Sequence, residues 1–264
     1  MRYAIAEAVT TYLSETGTDI GADSGAGPGM GHLPRYSLSG GYVAAGPYGN
    51  AQEREKHARA TSGSCDWPWF DGDEMRFDAR SGLLTSLLLA VPEEPPADAQ
   101  DSAAWLSVPA RPGGLAITPG TNFDLNRAES RWWDDAVTVL VCLYPGRPAR
   151  PQRRVRLAVA PGLSLLWGDE RLAGWMLEDP ARHLVHDWEP AVTAETTPRT
   201  RALLGDYLSL LSPPWIEAME EGDPGVLARL EGLRQAISDS GSDAQRTDVL
   251  GRAVGDLMEH WYDL

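Results

Sequence analysis

Ten consecutive residues, Cys65-Asp66-Trp67-Pro68-Trp69-Phe70-Asp71-Gly72-Asp73-Glu74, gather three aromatic rings and four carboxylates. Asp71, Asp73 and Glu74 could hold a hard cation through oxygen, and Trp67 and Trp69 could form the rim of a pocket. The calcium-loop pattern of alternating oxygen ligands ending in a distal glutamate is absent, however. Asp71-Gly72-Asp73 also reads as a plain turn ahead of a strand, with the aromatics anchoring the loop on a sheet. Trp67, Trp69, Asp71, Asp73 and Glu74 therefore stand as binding candidates, and no metal is expected.

The second constellation is His183 and His186, three apart in Asp179-Pro180-Ala181-Arg182-His183-Leu184-Val185-His186-Asp187. If Asp179 caps a helix that Pro180 opens, both imidazoles share one face. Two ligands do not make a zinc site, which needs three or four. The expectation is a short capped helix carrying polar histidines, which are kept as binding candidates.

Other chemistries fail on residue type. The glycine-rich run Gly21 to Gly31 lacks a Gly-Lys-Ser/Thr ending and a preceding strand, so it is no phosphate loop. A Gly-x-Ser-x-Gly elbow is missing. Schiff-base chemistry would fall to Lys56, the only lysine, in the polar stretch Gln52 to His57 where burial cannot depress an amine pKa. Cys142 sits in an apolar run as a core thiol, and Cys65 lies beside Asp66, which raises a thiol pKa. Two such cysteines imply neither a disulfide framework nor a zinc site, and no cofactor is expected.

The elements that must position these residues are written in hydrophobic period. Ala4, Ile5, Ala8, Val9, Tyr12 and Leu13 repeat as one face of an N-terminal helix. Met75 to Asp78, a turn through Gly82 and the apolar run Leu83 to Val91 spell a β-hairpin. Further strands are expected at Tyr36-Ser37-Leu38, Tyr42-Val43, Trp105 to Val108, Leu115 to Ile117, Ala136 to Tyr144, Val155 to Ala160, Leu163 to Trp167 and Leu172 to Leu177. Pro-Gly turns punctuate them at 119–120, 145–146 and 161–162. Paired tryptophans, Trp132 and Trp133, stand at the entrance to the strongest strand and pack on the sheet end. The polar stretch Ala51 to Ala60 predicts a short exposed helix.

After residue 200 the period becomes helical. Asp223-Pro224 is an N-cap followed by proline at the first helical position. Val226, Leu230, Leu233 and Ile237 form a stripe, as do Leu250, Ala253, Val254, Leu257, Met258 and Trp261. The fold expected is α+β in one domain spanning 1–264. It comprises a helix and glycine-rich loop (1–34), a central antiparallel sheet (35–180), and three or four acidic helices (199–264).

The 264 residues carry a formal net charge of −15. Binding phosphate needs a clustered basic surface, so nucleic acid and anionic membrane are unfitting partners. Residues 206–264 hold twelve acids against four arginines, a net of −8. The N-terminus lacks the apolar core of a signal peptide and no run suffices for a membrane span, which predicts a cytoplasmic protein. Arginine outnumbering lysine so heavily fits a GC-rich bacterial genome.

Charge, acidic helices and the missing catalytic set point to a non-catalytic protein-binding module that neutralises or regulates a basic protein, as toxin-immunity proteins do. Its expected sign is acidic surface around an accessible tryptophan or tyrosine. Two alternatives are an enzyme or small-molecule binder with an aromatic-lined pocket between sheet and helices, and a structural subunit of a larger assembly.

Overall fold

The hairpin anchors the first sheet. In the computed structural model, which describes residues 29–64, 72–96, 98–148, 150–169, 171–241 and 243–264, its arms are β4 (Glu74–Asp78) and β5 (Leu84–Ala90). Asp78 holds the turn: its Oδ1 accepts from the backbone N–H groups of Arg80 (3.1 Å) and Ser81 (2.7 Å). Gly82 closes it at φ +69°, where an added Cβ would lie 2.0 Å from the carbonyl oxygen of Ile117. Strain at positive φ and that collision act together, so Gly82→Ala is expected to destabilise the protein by about 2 kcal/mol or more. Chemical denaturation of the two proteins checks this.

Strands β1 (Arg35–Ser37), β2 (Tyr42–Ala45), β3 (Thr61–Gly63) and β12 (Leu184–Val185) complete a six-stranded sheet. Its order is β12-β1-β2-β5-β4-β3, antiparallel except for the β12–β1 pair. The second sheet contains β6 (Ala110–Pro112), β7 (Ser130–Trp133), β8 (Val139–Leu143), β9 (Arg154–Ala160), β10 (Leu163–Gly168) and β11 (Arg171–Glu178). Its order is β6-β9-β10-β11-β8-β7, with β6 parallel to β9 and the other pairs antiparallel. Two six-stranded sheets thus replace the single central sheet expected between residues 35 and 180.

Alternation along each strand decides what it faces. On β4, Met75 and Phe77 join the main core, as do Leu87 and Leu89 of β5. Their neighbours Glu74, Arg76 and Ser86 take the opposite face. On β8, Leu140 and Cys142 belong to the main core, whereas Val139, Val141 and Leu143 pack with Trp105, Leu166 and Met176 in a second cluster. The second sheet is covered on both sides, which is why β8 reads as an unbroken apolar run.

Some expected strands are corrected. Trp105 to Ser107 winds as a 3-10 turn, Ala104–Ser107, after the short helix α2 (Ala99–Ala103). Trp105, 2% exposed, is buried from this turn in the cluster that holds Val141 and Leu143. Residues 115–117 form only a bridge, Leu83 to Ala116, although Leu115 and Ile117 are still buried. Strands β3, β6 and β12 had no apolar alternation to announce them.

Helix α1 (Ala51–Arg59) buries no residue and is capped by Asn50, as its polar sequence implied. The C-terminal helices are α3 (Pro198–Leu210), α4 (Pro213–Glu220), α5 (Pro224–Ser238) and α6 (Ala244–Tyr262), giving six helices among the described residues. Proline opens α3, α4 and α5, where its missing N–H has no helical acceptor to lose. Val226, Leu230, Leu233 and Ile237 are buried against Val249, Leu250, Val254 and Met258 in the same cluster that runs into both sheets. Arg131 of β7 reinforces that join by donating to the C-terminal carbonyls of α3, Leu208 (2.8 Å) and Leu211 (2.9 Å), where the helix dipole favours a cation. The helix expected near residues 4–13 lies outside the described residues.

Candidate functional site

Strand alternation separates the carboxylates that the sequence placed side by side. Asp73 points into the interior with no solvent exposure, and Glu74 lies on the opposite face of the first sheet. They cannot share a cation. Trp67, Trp69 and Asp71 lie outside the described residues.

Asp73 is enclosed rather than poised. Its Oδ1 accepts from the Ala90 backbone N–H (2.7 Å) and its Oδ2 from the Tyr144 hydroxyl (2.5 Å). Burial pushes its pKa up to about 7, with the hydrogen bonds from Tyr144 and Ala90 pulling the other way. Burial likewise raises Tyr144, and the neighbouring Asp73 adds to it. Such a value suits acid–base work, but both oxygens are occupied and no face meets solvent. The pair instead ties the end of β5 to the end of β8, one sheet to the other.

Glu74 is ion-paired to Arg54 of α1. The same face carries His57, whose Nε2 lies 3.1 Å from Ser86 Oγ and 3.3 Å from Thr85 Oγ1. Burial and the nearby Arg76 keep the imidazole pKa low. Arg76 donates to the carbonyls of Ala58 and Thr61, each at 2.5 Å. A His–Ser contact has the outline of an activated nucleophile, yet Ser86 is wholly buried, beyond the reach of a substrate. These contacts hold on the sheet a helix that buries none of its own residues. Beside them Trp188 stacks on Tyr42 (5.1 Å between ring centroids), and Arg35 donates to the carbonyls of Tyr48, Gly46 and Trp188.

The histidine pair is corrected too. Residues Pro180–His183 form a 3-10 turn, and Asp179 sits at φ +45° without capping it. The Asp179 carboxylate is taken by a bidentate contact with Arg201, both distances 2.9 Å, and by the Thr196 hydroxyl at 2.6 Å. His183 is buried with Nδ1 3.1 Å from the Pro34 carbonyl, and burial lowers its pKa. His186, beyond the turn and on β12's far side, pairs with Asp248 of α6 at 2.8 Å. The two rings serve different contacts because the turn ends at His183 and the chain extends before His186. Among the described residues no three His, Cys, Asp or Glu side chains stand together as a metal site.

Among the described residues an accessible groove lies between α4 and α5. Pro214, Trp215, Ala218, Gly225, Val226, Asp223 and Arg229 line a space of about 430 Å³. The Arg229 guanidinium lies 4.1 Å from the centre of the Trp215 ring. Met219 and Val226 are buried beneath, which fixes the spacing of the two helices. Glu217, Glu220, Glu221 and Asp223 are all exposed on these helices and the turn joining them. Asp223 caps α5 through Oδ1 to the Gly225 N–H (2.6 Å), and its own carbonyl accepts from the Tyr262 hydroxyl (2.9 Å). Nothing in the local sequence marks Trp215 as a site residue. Its partner Arg229, fourteen positions on, carried no signal of its own.

No protein-family model, no curated protein and no solved structure matches this chain. Among the described residues no helix is long and apolar enough to cross a membrane.

Proposed function

We propose that this protein is a non-catalytic binding module, an acidic cytoplasmic protein of one domain whose C-terminal helices take up a basic polypeptide and thereby neutralise or regulate it, in the manner of an immunity protein. One observation carries the reading: the half-buried Trp215 and the exposed Asp223 line one groove, on helices that also expose Glu217, Glu220 and Glu221, within a helical region of net charge −8. An aromatic anchor on a surface of one charge sign is how protein interfaces gain both affinity and steering. The same charge disfavours nucleic acid.

The test is capture from lysate of the source cells by the full chain, by W215A and by the doubly reversed E217K/E221K. Native mass spectrometry reads the bound species. The expected result is a basic polypeptide at fixed stoichiometry on the wild type, reduced at least about tenfold on both variants, the loss that about 1.4 kcal/mol of anchor energy produces. E217K/E221K changes only exposed side chains, so its loss cannot be assigned to unfolding. Equal capture by all three proteins, or a small molecule or metal adduct in place of a polypeptide, overturns the reading.

A further inference from the structure

We infer that the α4–α5 groove takes an arginine side chain of its protein partner, stacked on Trp215 in the place that Arg229 now occupies; this rests on the binding-module reading above. The ring already carries a guanidinium. At 4.1 Å, Arg229 lies nearer its aromatic partner than does any other cation–ring pair among the described residues, the rest spanning 5.0 to 6.0 Å. The flat indole face therefore suits a planar cation, which stacks as a compact ammonium does not.

Arg229 is a weakly held occupant. It is exposed and has no ion pair among the described residues. Stacking alone, at an exposed site, shifts an equilibrium by only about two- to fivefold. An incoming arginine has more to gain. Asp223 spends Oδ1 on the Gly225 N–H but makes no hydrogen bond through Oδ2 among the described residues. Glu221 stands exposed two residues before it. A guanidinium arriving from outside can stack on the ring and also reach a carboxylate, forming the charge-assisted hydrogen bonds that Arg229 lacks. The surrounding net negative charge favours a basic segment over an acidic one.

The experiment uses fluorescence anisotropy with two fluorescein-labelled dodecapeptides, one alternating arginine with alanine and one alternating lysine with alanine. Each is titrated with the wild type, R229A, W215A and E217K/E221K. The arginine peptide is expected to bind at least about fivefold tighter than the lysine peptide. R229A frees the ring and should improve arginine-peptide binding about threefold, within the range of the stacking it removes. That gain should exceed the gain for lysine, because loss of a positive charge by itself helps both peptides alike. Equal affinity for the two peptides, or an R229A gain that is the same for both, overturns the arginine assignment while W215A and E217K/E221K still weaken binding. Binding that neither W215A nor E217K/E221K alters would instead bring down the groove reading itself.

Discussion

Replacing Asp73 with asparagine is expected to remove a pH dependence from the stability of this protein. The folded carboxyl holds its proton up to about pH 7, whereas in the unfolded chain it releases it near the ordinary value of 3.8. Between those values the unfolded state binds fewer protons than the folded state, so stability falls as pH rises. The contribution is complete below about pH 4 and lost by the time the pH has passed 7. An amide keeps an acceptor for the Ala90 N–H and a polar partner for the Tyr144 hydroxyl but cannot ionise. Relative to wild type, Asp73→Asn should therefore gain on the order of 3 kcal/mol in stability between pH 5 and pH 8, at about 1.4 kcal/mol per pH unit over the window. Urea unfolding of both proteins across that range measures it. Parallel curves for the two proteins would show that Asp73 does not carry the proton.

The second large effect is expected at Arg246, 1% exposed at the start of α6. Its guanidinium donates to Asp243 Oδ1 (2.7 Å), to the carbonyl of Ala194 (2.6 Å) and, more loosely, to those of Val192 and Arg182, both at 3.3 Å. It thus fastens α6 to the segment that links β12 with α3. Arg246→Ala takes this donor from three carbonyls in a closed site and leaves the Asp243 carboxylate without its charged partner, with the Thr200 hydroxyl (3.1 Å) still donating to it. A loss of about 3–5 kcal/mol is expected, the range for breaking a buried charge pair. Arg246→Lys should recover only part of it, since one ammonium cannot span a fork of acceptors. Thermal unfolding should show alanine lower than lysine and lysine lower than wild type. Indistinguishable melting points would mean that the helical region is held by its apolar stripe alone.

Local pattern made much of this protein legible. The hairpin around Gly82, the buried run of β8, and the proline-led helices with their apolar stripes all express constraints that act within a few residues: side-chain period, φ at a turn, a missing N–H. Those constraints are written wherever the chain must satisfy them, and they are found at Met75 to Val91, at Val139 to Leu143 and at Asp223 to Ile237. Net charge was equally a property of the sequence, as was the absence of a phosphate loop or a serine elbow.

What the sequence could not decide was which strands pair and which groups meet. The twelve strands among the described residues divide into two sheets, and within the second β8 pairs with β11 rather than with β9, the next strand in the chain; no pattern local to either strand specifies that partner. Asp73 and Glu74 are neighbours in the chain, yet the pleat sends one into the core and the other to Arg54. His183 and His186 share a spacing that a helix would have turned to one face, and a 3-10 turn that stops at His183 parted them. Trp215 and Arg229 have no sequence relation; the packing of α4 against α5 over Met219 and Val226 brings them within 4.1 Å. Elements follow from short-range sterics and periodicity, which the sequence by itself determines. Sites follow from side chains converging across long separations, and only tertiary packing selects those.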